Sequence, residues 1–191
     1  MRRFTIAMLL AAPLAALAMP ASASVVILGN GLGRECYVAA ALKRDPKPSL
    51  GICTSALQGD ELSLRDRAAT YVNRGVIHAA AHDPEMALRD YEAAINLDAN
   101  LADAYVNAGM ALLQIGGRDR EAIDTLTRAI LLGTSRVEIA YYTRAMAHEM
   151  VGEVRAAYED YQAALAAKPG WEAPLEQLKR FKVVRRETAR G

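Results

Sequence analysis

Cys36 and Cys53, 17 positions apart, are one of few sets of side chains in this chain whose type and spacing could do chemistry. In an oxidising compartment such a pair is expected to be joined; in a reducing one it stays as two buried thiols. A bridge closing that loop would stabilise the fold by about 3 kcal/mol through the unfolded state. His78 and His82 stand four apart, as in one half of a zinc-binding helix, but no Glu follows His78 and the turn signal at Asp83 puts His82 at a helix end. A partly buried His78 is the expectation. Gly29-Asn-Gly31-Leu-Gly33 follows the apolar run Val25 to Leu28 and imitates a strand entering a phosphate-binding turn. It lacks the third glycine at the required spacing and any parallel-sheet domain behind it. Ser24, Ser49, Ser55, Ser63 and Ser135 belong to no nucleophile elbow. Acids such as Asp90 and Glu92 alternate with basic neighbours such as Arg89 and read as exposed faces. No catalytic constellation emerges, so the chain is expected to be no enzyme and to need no cofactor or metal.

The elements around these residues begin with a leader. Arg2 and Arg3 precede an apolar stretch from Phe4 to Met19, which ends in Pro20-Ala21-Ser22-Ala23, a small-x-small pattern. Residues 1–23 are therefore expected to be a cleaved signal peptide, with export to the periplasm or beyond. The other reading is an uncleaved anchor, which Pro13 and Pro20 oppose because a spanning helix needs roughly 20 unbroken apolar residues. The full chain has 23 basic and 22 acidic residues; losing Arg2 and Arg3 leaves 21 against 22, a net charge of −1. Nucleic acid is not an expected partner, because phosphate binding needs a positive field. Arg185 to Gly191 reads as a disordered basic tail.

Internal repetition dominates the remainder. Tyr71-Val-Asn-Arg-Gly75, Tyr105-Val-Asn-Ala-Gly109 and Tyr141-Tyr-Thr-Arg-Ala145 align, and so do Ala87 to Ala94, Ala122 to Ala129 and Ala157 to Ala164. The closing alanines recur every 35 positions, the length of one helix-turn-helix unit. Ser63 with Asp66, Asn100 with Asp103 and Ser135 with Glu138 predict capped starts of the first helices. Asp83-Pro84 and Asp119 predict starts of second helices, and Gly116, Gly117 and Gly152 predict left-handed stops. Small residues at 75, 109 and 145 and at 87, 122 and 157 allow close helix approach, with Tyr91, Leu126 and Tyr161 filling the space beside them. A single unit cannot bury its own face, so the units must stack.

These residues resemble the tetratricopeptide repeat family, over residues 68–170, with about half a repeat more upstream. The chain departs from the pattern at the usual leucine (Arg74, Ala108, Arg144) and at the second aromatic (His78, Leu112, His148). The resemblance implies an all-α, right-handed superhelix of stacked helix pairs, with repeats at about 68–101, 102–137 and 138–170. Residues 24–33 read as a flexible apolar lead-in. Residues 34–62 read as a degenerate pair, with Cys36 on a helix from Arg34 to Arg44 that Pro46 and Pro48 stop, and Cys53 on a helix from Ser49 to Leu57. Trp171 to Val184 reads as a capping helix with Trp171, Leu175, Leu178 and Phe181 on one face.

The resemblance also implies a concave groove that grips a polypeptide. Its wall is expected to be Val72, Asn73 and Val76, then Val106, Asn107, Met110 and Leu113, then Tyr142, Thr143, Met146 and Met150. Asn73 and Asn107 match the asparagine with which family members hold a ligand backbone. Val72, Val106, Ala69 and Asp103 stand where carboxylate-clamping members carry basic residues, so the expected ligand is an apolar or amphipathic segment. The competing reading is a self-associating structural protein, possible as a homodimer, whose groove holds Val25 to Leu28 or a second copy.

Overall fold

The structure, a computed structural model, describes residues 4–8, 24–27, 31–59 and 62–185. Among them run nine helices: α1 (Leu32–Ala41), α2 (Pro46–Gln58), α3 (Leu64–Ala80), α4 (Pro84–Leu97), α5 (Ala102–Ile115), α6 (Asp119–Leu131), α7 (Val137–Met150), α8 (Val154–Ala167) and α9 (Glu172–Leu178). Each packs on the next, and the leading helices also touch one another, α1 with α3, α3 with α5 and α5 with α7. Such layering is the all-α superhelix of stacked pairs. None of the described helices is long and apolar enough to cross a membrane.

Close approach within a pair depends on the small residues. A methyl group added at Gly75 would fall 2.6 Å from the Tyr91 ring, and one at Gly109 2.5 Å from Leu126 Cγ. Tyr91 and Leu126 are fully buried against these sites, and Tyr161 is buried in the same cluster as Ala145, the small residue of the third repeat. Gly116, Gly117 and Gly152 take φ of 79°, 72° and 77° and end their helices, as expected. His82 adopts φ 59° at the place in the first repeat that Gly152 takes in the third.

Two of the expected start signals cap their helices. The Ser63 hydroxyl accepts from the Asp66 amide and the Asp83 carboxylate from the Met86 amide, both at 3.1 Å. Asn100 and Ser135 do not cap. Leu101 and Arg136 occupy those N-cap positions, without side-chain caps. The hydroxyls of Thr134 and Ser135 instead donate to the Asp103 carboxylate, which ties the start of α5 to the α6–α7 turn.

The ends differ from expectation in three ways. Pro46 and Pro48 do more than stop α1: they lie in the first turn of α2, which Asp45 caps through the Lys47 amide, since a proline there leaves no amide unsatisfied. Cys36 and Cys53 still meet across this pair, as a disulfide with Cα atoms 4.8 Å apart. The expected helix from Trp171 to Val184 ends at Leu178, and the β-branched stretch after it forms β2 (Phe181–Arg185), paired antiparallel with β1 (Phe4–Met8) so that Phe4 faces Arg185 and Met8 faces Phe181. The expected apolar face is split accordingly: Leu175 is 44% exposed, while Phe181 packs on Tyr158 and Tyr161 at 5.6 and 6.0 Å. β1 falls within the expected leader; residues 1–3 and 9–23 and the tail from 186 lie outside the described residues.

The departures from the repeat pattern are themselves paired. Arg74 sends Nε and Nη2 to the Asp90 carboxylate at 2.8 and 2.7 Å and Nη1 to the Thr54 hydroxyl, and its guanidinium lies 5.5 Å from the Tyr71 ring centre. Arg144 repeats this with Asp160, Thr127 and Tyr141. Asp90 and Asp160 are buried, so the reading of Asp90 as part of an exposed acid-base face is corrected: its partner arrives from the neighbouring helix, where a linear reading does not find it.

Candidate polypeptide-binding trough

Helical spacing puts Val72, Asn73 and Val76 on one face of α3, and the matching residues on one face of α5 and α7. The structure keeps them on corresponding faces of three touching helices, yet mostly closes them off. Val72, Asn73, Val76, Val106, Asn107, Met110, Tyr142, Thr143 and Met146 are buried, Leu113 is half-buried, and Met150 alone is exposed, at 47%. The expected open apolar wall is corrected on this point. Val72 and Val76 belong to the core that contains the disulfide, Val106 and Met110 pack with Leu126, Ala129 and Ala140, and Tyr142 and Met146 pack with Tyr161 and Phe181. These positions help to fasten one repeat to the next.

The polar members of the face have partners. Asn73 Nδ2 donates to the Val25 carbonyl at 2.8 Å, and its Oδ1 accepts the Val25 amide at 2.7 Å. One side-chain amide thus satisfies both main-chain groups of an extended residue. Val25 packs against the core cluster, Ile27 is buried, and Arg34 Nη1 donates to the Ile27 carbonyl at 3.2 Å. The lead-in is docked at residues 24–27 rather than flexible there, because Val25 and Ile27 pack inward while Val26 stays exposed, and the main chain of Val25 finds an amide. Asn107 Oδ1 accepts from Arg136 Nη1 at 2.8 Å, and burial pushes the Arg136 guanidinium down from its ordinary value although Asp103 and Glu138 oppose this. Thr143 Oγ1 is buried and finds no hydrogen-bond partner among the described residues.

At the far end Tyr142 lies between Tyr161 and Trp171, with centroids 5.7 and 4.9 Å away and the rings tilted by 56° and 49°. Glu149 lies beside them and pairs with Arg180 at 3.2 Å; desolvation pushes its carboxyl up, with Arg180 pulling the other way. Burial likewise raises the Tyr161 phenol. Two features escaped the sequence. The role of Arg136 carried no signal, since it precedes a helix and meets Asn107 only in space. The aromatic cluster could have been suspected from Trp171 following Tyr142 and Tyr161 across a predicted pair.

No protein-family model matches the chain. The ETO1-like protein 1 of Arabidopsis thaliana is 28% identical over 153 residues, which is 76% of this chain and 17% of that protein; the chain thus spans under a fifth of that relative's length. A crystal structure of MamA superposes with a TM-score of 0.64 at 22% identity, covering 80% of this chain and 94% of MamA. YrrB, described as a TPR protein with an unusual peptide-binding site, gives 0.65 at 19% identity over 77% of this chain and 74% of its own. The second TPR domain of human RPAP3, solved with an HSP70 peptide, gives 0.57 at 26% identity, covering 61% of this chain and 96% of that domain. The helix order, the stacked pairs and these likenesses agree, and the chain has the tetratricopeptide-repeat fold.

Proposed function

We propose that the chain is a non-enzymatic module that binds an extended apolar polypeptide segment at the Asn73 end of the leading-helix trough, and that its own residues 24–27 occupy that place as a resident ligand. The observation that carries this reading is the pair of hydrogen bonds between the Asn73 amide and the Val25 main chain. An asparagine that holds both groups of one extended residue reads backbone rather than side-chain identity, so the same contact serves any extended strand whose apolar side chains fit beside it. That similar folds in RPAP3 and YrrB are described with peptides supports a polypeptide as the ligand.

The leader pattern of residues 1–23 and the buried disulfide support an exported protein that acts in the cell envelope. The resident segment comes from the same chain and favours self-occlusion over a separate homodimer, although exchange of that segment between copies uses the same contact.

A chain beginning at Leu32 and a synthetic Ser-Val-Val-Ile-Leu peptide, the sequence of residues 24–28, provide the test. The shortened chain is expected to take the peptide with micromolar affinity, about −8 kcal/mol, and Asn73→Ala to weaken it about tenfold. The chain that keeps its lead-in is expected to bind the added peptide more weakly. Equal binding by the Asn73→Ala chain would remove the proposed contact from the function.

A further inference from the structure

Two repeats fill the crevice beside a leading helix with an arginine of their own. Arg74 lies among Tyr71, His78, Asp90 and Thr54, and Arg144 lies among Tyr141, His148, Asp160 and Thr127. In the middle repeat these positions are Tyr105, Ala108, Leu112, Thr125 and Glu92. The arginine is gone, the histidine is apolar, and the acid has moved from the following helix to the preceding one. All five residues line an open crevice of about 180 Å³ between α4, α5 and α6, together with Glu121.

We propose that this crevice receives an arginine side chain from a partner polypeptide, in the place that Arg74 and Arg144 take within their own repeats. Glu92 stands where the Thr54 and Thr127 hydroxyls accept from Nη1, so a guanidinium entering here meets a carboxylate at that point. Tyr105 offers the ring that Tyr71 and Tyr141 place under their arginines. Leu112 and Ala108 are buried and give the arginine stem an apolar floor. Arg118, whose charge reaches Glu92, is held by Glu121 at 2.8 and 2.6 Å and is no substitute. The acidic rim rejects an anionic segment. Tyr105, Ala108 and Leu112 lie on the opposite side of α5 from Val106 and Met110, at 100° per residue, so this site is separate from the trough.

The probe is acetyl-Ala-Arg-Ala-amide, compared with its citrulline and norleucine counterparts, followed by methyl NMR of the full chain. Saturable shifts at Leu112 and Thr125 are expected with the arginine peptide, with binding about tenfold weaker for citrulline and for the Glu92→Gln chain. Ala108→Arg with Thr125→Asp rebuilds the internal clamp and is expected to abolish the shifts. Glu92→Gln changes an exposed residue and keeps the test decisive should that double variant not fold. Asn73→Ala leaves these shifts in place, so failure here is distinguishable from failure of the trough reading. Equal affinity for norleucine would assign the crevice to an apolar side chain and overturn the proposal, as would absence of shifts or unchanged binding by the filled variant. Self-association that Glu92→Gln abolishes would assign the arginine to a second copy and overturn the partner.

Discussion

Asp90, on α4, receives two parallel hydrogen bonds from Arg74, on α3, and with its side chain 4% exposed it has little water to fall back on. The pair joins the two helices of the first repeat where a leucine is usual. The Asp90 hydrogen bonds hold the Arg74 guanidinium above its ordinary value, against desolvation.

Removing Arg74 leaves the buried Asp90 carboxylate without its two charged hydrogen bonds. Arg74→Ala is expected to destabilise by about 3 kcal/mol, whereas Arg74→Leu with Asp90→Leu is expected to change stability by only about 1 kcal/mol, because a packed apolar pair replaces an ion pair with little net loss. Urea titrations of the two variants and of each single change give the coupling directly.

Gly109 faces Leu126 across α5 and α6, where an added methyl would sit 2.5 Å from Cγ and 2.7 Å from Cδ2. Gly109→Ala gains about 1 kcal/mol of helix propensity and loses about 2 kcal/mol or more to overpacking, so a net loss is expected. In a Leu126→Ala background the same change is expected to stabilise. A thermal melt of the four chains decides between packing and backbone as the cause.

Burial holds His78 below its ordinary value of 6.5 even though Asp90 and Asp83 lie 3.9 Å from its ring nitrogens and Arg74 adds a small push downward. The unfolded chain therefore takes up a proton near pH 6.5 that the folded chain resists. Stability should fall as pH drops from about 6.5 toward the lowered folded value. His78→Leu, which copies Leu112 of the middle repeat, should flatten that part of the stability-pH curve. An unchanged slope in urea melts taken at intervals across the window would show that other groups set it.

The Cys36–Cys53 bridge closes a loop of 17 positions between α1 and α2, the pair with a repeat on one side only. Cys36→Ala with Cys53→Ala is expected to lower stability by about 3 kcal/mol. Hydrogen exchange should show the loss concentrated in α1 and α2, since a terminal pair frays before its neighbours. Uniform loss along the chain would mean that the superhelix unfolds as one unit.

By itself the sequence determined the helix pairs, the stops at Gly116 and Gly152 and the glycine-to-large contacts, because each depends on residues within a turn or within one repeat; it left the two cysteines open between a bridge and two thiols. What only the tertiary structure decided is which group lies against each face. Val106 and Met110 have the spacing of a groove wall, but Ala140 of the next repeat covers them, and hydrophobicity reads alike whether a ligand or a neighbour supplies the cover. Asp90 reads as a surface acid until Arg74 reaches it from another helix, and Val25 reads as a loose lead-in until the Asn73 amide, 48 positions away, satisfies its main chain. Local periodicity specifies which side chains share a face; what lies against that face is set by chain closure over distances that periodicity does not record.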